Sequence, residues 1–263
     1  MFKKVLFGCG LAFTAAAALA ATTQAPDTPA ALTAAQIADR NVAARGGLTA
    51  WRAVETLTFS GRLDAGGKPN VELPFVMKMK RGHKSRLELS FRDQTALQVY
   101  DGAQGWKVRP FLNRDEVEPY TPAEAKAAAA FDELDGPLVD YAKKGTKVEL
   151  VGTEKVEGND AYKLTLTSKT GAVRTIWIDA KTFLERKLEG EPKKIDGKVR
   201  TASVYFREFK TENGLTTPRV LETLYEGTKV SRKMTIAKAA VNEAMPDGLF
   251  QKPQVALAGA PAR

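Results

Sequence analysis

The sequence predicts a mainly β chain of α+β type: about eleven half-buried antiparallel strands in one long sheet, with a few short helices beside it. Three observations predict it. Apolar residues alternate with polar ones through most of the chain, as in Leu73, Phe75, Met77 and Met79 against Lys78 and Lys80. Turn chemistry such as Arg92-Asp93, Gly158-Asn159-Asp160 and Asn213-Gly214 separates these runs at short intervals. Helical patterning is confined to a few short segments.

In chain order, Met1-Phe2-Lys3-Lys4 is a basic start and Val5 to Ala20 an apolar run closing on Ala18-Leu19-Ala20, with Thr23-Gln24-Ala25 a second cleavage pattern. Residues 1–25 read as a secretory signal peptide, too short and Ala-rich for a retained span. Leu6-Phe7-Gly8-Cys9 resembles a lipobox, but the apolar run continues well past Cys9, so cleavage removes the only Cys. A chain without Cys suits an oxidising compartment. Residues 26–32 read as a flexible leader, 33–253 as one domain and 254–263 as a loose tail.

Thr33 caps a first helix running to Arg45, which Gly46-Gly47 ends; a short turn, Leu48 to Val54, carries Trp51. Period-two rows follow at Leu57–Leu63, Leu73–Met79, Leu87–Phe91 and Leu97–Val99. Thr121-Pro122-Ala123-Glu124 opens an Ala-rich helix to Phe131, and Gly136-Pro137 opens another over Leu138–Lys144. Strands resume as Lys147–Val156, Ala161–Thr167, Val173–Asp179, Phe183–Glu189, Val199–Phe209, Leu215–Tyr225 and Lys229–Ala239, in one long antiparallel meander.

One Cys and one His exclude a disulfide framework and a Cys/His zinc site, and any Ser–His–Asp triad must use His83, which sits among Lys84 and Arg86 as a surface residue. Asp132, Glu133 and Asp135 are adjacent loop acids, read as solvated rather than as an acid/base group. Without Lys3 and Lys4 the chain carries 38 basic and 31 acidic residues. In an exported protein that balance argues against nucleic acid and suits either anionic headgroups or a plain soluble surface.

One-sided strands expose more apolar area than a few helices can cover. Ala123, Ala125 and Ala127 to Ala130 either leave unfilled apolar space suited to a hydrophobic guest or let helix and sheet pack closely. Period two places Arg81 on the face of Phe75, Met77 and Met79, where it either snorkels to solvent or latches lid carbonyls. Met77 and Met79 suit a varied guest or an ordinary core, and Trp106 and Phe111 suit a rim or a core.

Lys80-Arg81 after an apolar strand, then Gln98-Val99-Tyr100-Asp101-Gly102-Ala103-Gln104-Gly105-Trp106 and Pro110-Phe111, resemble the LolA-like outer-membrane lipoprotein carrier superfamily. Asp135-Gly136-Pro137-Leu138-Val139-Asp140-Tyr141 and the stretch Lys155 to Leu164 resemble its outer membrane lipoprotein-sorting subgroup. The likeness spans about residues 33–253. It implies an incomplete, curved, half-open antiparallel β-barrel with a short-helix lid over an apolar cavity, and acyl-chain binding in the periplasm without cofactor or catalysis. It maps the lid-holding arginine onto Arg81, with Gly82 where the family has proline. The residues then expected to touch lipid are Leu73, Phe75, Met77, Met79, Leu87, Leu89, Phe91, Leu97, Val99, Trp106 and Phe111. The expected function is a periplasmic binding or carrier protein, a monomer, moving lipoproteins or other acylated lipids between inner and outer membrane, with membrane-bound donor and acceptor partners. The alternative is a regulatory sensor or scaffold of the same fold that binds a membrane-protein segment.

Overall fold

The computed structural model describes residues 31–64, 71–131, 133–190, 193–195, 197–228 and 231–254. The expected signal peptide, most of the leader, the tail beyond Gln254 and Asp132 lie outside the described residues.

Thr33 caps α1 (Ala34–Ala44) with a capping box, its hydroxyl accepting from the Gln36 amide while the Gln36 side chain accepts from the Thr33 amide. Gly46 ends the helix at φ 116°, and a Cβ there would meet the Gly214 carbonyl oxygen at 2.1 Å, so only glycine fits. α2 (Leu48–Arg52) follows and buries Trp51. Next come β1 (Thr56–Asp64), β2 (Glu72–Lys80), β3 (Lys84–Phe91), β4 (Gln94–Tyr100), β5 (Gly105–Arg109) and β6 (Arg114–Pro119). α3 (Pro122–Phe131) starts with a second capping box, here Thr121 with Glu124. Then β7 (Lys147–Val156), β8 (Asn159–Thr167), β9 (Val173–Asp179) and β10 (Glu185–Glu189) lead to the short β11 (Lys193–Ile195) and β12 (Lys198–Arg200). The chain closes with β13 (Ala202–Arg207), β14 (Lys210–Glu212), β15 (Leu215–Thr217), β16 (Val220–Tyr225) and β17 (Ser231–Val241).

Thirteen strands form one curved antiparallel sheet in the order β6-β5-β4-β3-β2-β1-β17-β16-β13-β10-β9-β8-β7, while β11–β12 and β14–β15 are separate hairpins. The sheet is an open barrel: β6 and β7 are its free edges. It is not one unbroken meander. The chain steps outward from β1 to β6, crosses through α3 and residues 133–146 to the far edge, and steps back from β7 until β17 pairs with β1. That crossover puts a connecting segment across the concave side. At the β1–β17 seam the register shifts between Ser60 and Gly61, and a Cβ on Gly61 would lie 1.9 Å from the Thr235 carbonyl oxygen.

The helix expected over Leu138–Lys144 is instead a run of turns. Asp140 sits at φ 51°, outside the helical basin, and its carboxylate takes a bidentate grip from Arg52 at 2.7 and 2.6 Å. β5 and β6 go beyond the expected strands; β6 is too rich in charge to show an alternating row.

Side chains of directly paired residues share one side of a sheet. Phe59, Met77 and Leu87 therefore form one row, as do Leu150, Leu164, Ile176, Leu188 and Val204. Both rows face the concave side. There Ile37, Ala38 and Leu138 pack on Leu164, Ile176 and Leu188, and Val42, Trp51, Leu134 and Val139 pack on Leu57 and Met79. Each fully buried leucine or isoleucine there contributes about 1.5–3 kcal/mol. The core thus lies between the sheet, α1, α2 and residues 134–139.

Candidate functional site

Between the centre of the concave face and residues 133–137 the packing leaves a cavity of about 260 Å³. Its apolar wall comes from Leu57 and Phe59 of β1, Met77 and Met79 of β2, Ile176 and Leu188, Val204 and Phe206 of β13, Leu221, and Trp51 and Leu134. Arg45, Glu133, Arg174 and Glu185 add charged groups to the same wall. Beside it, α1 and Leu138 cover the sheet by packing on Leu164, Ile176 and Leu188.

The segment that roofs the cavity is tied down by charge. Asp135 is 5% exposed. Its carboxylate accepts from the Arg81 guanidinium at 3.0 Å and from the Lys144 ammonium at 2.6 Å. Its backbone carbonyl accepts from Arg45 at 2.8 Å. Arg81 also donates to the Trp51 carbonyl at 2.5 Å, so one guanidinium joins the end of β2 to α2 and to the roof. Lys144 donates to the Gly136 carbonyl at 2.8 Å. Arg45 lies 4.3 Å above the Trp51 ring and 3.3 Å from the buried Glu185 carboxylate of β10. Buried charges persist only when paired in this way. At the far end of the roof, the largely buried Lys107 clamps Glu124 of α3 with two contacts of 2.6 Å.

Of the residues expected to touch lipid, Met77 and Met79 line the cavity. Leu73, Phe75, Leu87, Leu89 and Phe91 share their side of the sheet but lie beyond the cavity wall, and Phe91 meets Phe111 edge-on with ring centres 5.8 Å apart. Leu97, Val99 and Trp106 point to the other side. The tight turn at Arg92-Asp93 pairs Phe91 with Gln94, which puts Leu97 opposite Glu88 and Val99 opposite Arg86, and Trp106 pairs with Val99. That outer side is covered by the C-terminal turn Asp247–Phe250, where Arg86 donates to the Leu249 carbonyl and Lys80 and Lys84 hold Asp247. Leu97 borders a shallow groove with Gly248 and Leu249.

Sequence reasoning did not single out Phe59, Leu188, Val204, Phe206 and Leu221, although the same period-two rule marks their rows. Arg45 and Asp135 carried no local signal, since their partners lie far along the chain. His83 is exposed on a turn at φ 59°. Glu133 and Asp135 are both engaged by Lys144.

No protein-family model matches the chain, and no curated protein matches it in sequence. Solved structures match it in fold. A domain described as an outer membrane lipoprotein-sorting protein from Vibrio parahaemolyticus has a TM-score of 0.56 at 14% identity, covering 83% of this chain and 96% of that one. A LolA superfamily protein from Nitrosomonas europaea gives 0.56 at 15% identity, over 84% and 99%. A DUF1329 family protein from Desulfovibrio piger gives 0.56 at 14% identity, over 84% and 98%. The chain therefore has the LolA-like fold.

Proposed function

We propose that this protein is a periplasmic binding or carrier protein for acylated cargo, which it holds by taking alkyl chain into the concave cavity. The single observation that carries the reading is the apolar cavity beneath a roof held by paired charges rather than by strand pairing. Alkyl chain leaving water for that wall gains about 0.8 kcal/mol per methylene. A chain of about ten methylenes gains about 8 kcal/mol, much of which is offset by lost freedom of the bound molecule. Binding of that strength lets cargo be released. Arg81 serves as the latch of the roof, since its guanidinium joins the end of β2 to α2 and to Asp135. The fold shared with a lipoprotein-sorting domain supports the same reading. Cargo passing between the two membranes then requires a donor and an acceptor that favour the loosened roof.

The test is native mass spectrometry and lipid extraction of protein purified from its own cell envelope. Copurifying amphiphile, lost on filling the cavity, is the expected result; protein that is always empty and takes up no added amphiphile contradicts the reading. The free edge at β7, with Val151 59% exposed, favours one second reading: a scaffold that pairs with an extended segment of a membrane protein. A stoichiometric protein partner without lipid in an envelope pull-down distinguishes it.

A further inference from the structure

We infer that the cargo of this cavity is a single-chain amphiphile with an alkyl tail of about ten carbons, bound with the roof in place, and not a multiply acylated lipoprotein. The inference rests on the acyl-binding reading above and narrows its ligand. An apolar cavity of about 150 Å³ takes one benzene, six carbons. In proportion, the 260 Å³ here take about ten carbons, less than one long acyl chain and far less than two.

More room is gained only by lifting residues 133–139. That segment buries Leu134, Leu138 and Val139, and three cations hold Asp135 and its neighbours. A second chain has to break all of this, whereas one short tail breaks none of it. Arg45, Glu133, Arg174 and Glu185 belong to the same wall, so a polar head beside the tail lies near charged groups that already pair within the protein. Val204 and Phe206 of β13, with Leu188 and Leu221 beside them in the sheet, are part of the cavity floor, so their bulk governs how much tail the space takes. These positions set tail length.

The experiment is calorimetric titration of the full mature chain with straight-chain carboxylates from about six to about eighteen carbons. A lysophospholipid with a ten-carbon tail and a triacylated lipopeptide are titrated beside them. Affinity is expected to rise about fourfold per added methylene to about ten carbons and then to level off. The lipopeptide is expected not to bind. Binding of the carboxylate or the lysophospholipid with this cut-off supports the inference and shows which head the wall admits. Val204→Phe is expected to shorten the cut-off by about two carbons and Phe206→Leu to lengthen it by about as much, with circular dichroism confirming folding of each. Affinity that climbs through eighteen carbons, binding of the lipopeptide, or a cut-off that neither folded variant moves overturns the single-chain inference and leaves acyl binding standing. If no chain of any length binds, the acyl-binding reading itself fails.

Discussion

Replacing Asp135 by Asn keeps the size of the side chain and removes the charge on which the roof converges. The carboxylate side chain is 7% exposed and faces Arg81 at 3.0 Å and Lys144 at 2.6 Å. A charge-assisted hydrogen bond contributes about 1.5–3 kcal/mol when buried. The cationic side chains are 33% and 25% exposed, so water screens each contact, and the pair together stabilise the seated roof by about 2 kcal/mol. Losing that raises the population with a lifted roof about thirtyfold. Urea unfolding should show the protein weaker by about 2 kcal/mol. Titration with a long-chain carboxylate should show affinity improved about ten- to thirtyfold, and affinity for a ten-carbon tail unchanged. A variant of lower stability whose long-chain affinity stays the same or falls would refute the idea that these charges govern access. So would a variant of unchanged stability.

Glu185→Gln leaves the buried Arg45 guanidinium without its counter-charge and should lower stability by about 2–4 kcal/mol in denaturant unfolding, more than any exposed Glu→Gln change. Burial pushes the Asp179 carboxyl up, but the Thr182 and Lys181 amides and the Arg186 guanidinium outweigh it and hold the group below the usual carboxylate value. A depressed folded value means that its stabilisation is whole above about pH 4 and is lost as pH falls through the folded value. Unfolding free energy measured from neutral to acid should decline in that window, and Asp179→Asn should flatten the decline. Gly61→Ala drives a Cβ into the Thr235 carbonyl at the β1–β17 seam and should cost about 3 kcal/mol or prevent folding, read as soluble yield and melting temperature. Gly248→Ala, with nothing within 4 Å, should stay within about 0.5 kcal/mol of the parent.

Periodicity was enough to recognise most of the strands, because a half-buried strand must alternate whatever it pairs with. The face that each row presents needs register as well. The tight turn at Arg92-Asp93 fixes it: once Phe91 pairs with Gln94, Leu97 and Val99 cannot share a side with Leu87 and Leu89. That information was in the sequence, but reading strands one by one passes over it. The missing helix at Leu138–Lys144 has a different cause. Gly136-Pro137 and the spacing of Leu138 and Tyr141 suit a helix, but Arg52 holds Asp140 in a left-handed turn from a distant element. Long-range charge also explains why Asp135 looked like a solvated loop acid. Its neighbours Glu133, Leu134 and Gly136 offer no counter-charge, and two of the cations that bury it, Arg45 and Arg81, come from α1's end and from β2's end. Arg81 was visible because an arginine closing an apolar row is costly unless paired.

Alkyl chain is proposed to occupy the space between Phe59, Met77, Leu188 and Phe206. Isotope-filtered nuclear Overhauser spectra of methyl-labelled protein with unlabelled decanoate test it directly. Cross-peaks are expected from the tail to the Met77, Leu188, Val204 and Leu221 methyls. Cross-peaks confined to surface groups such as Leu112 and Val199, with those four methyls silent, contradict it.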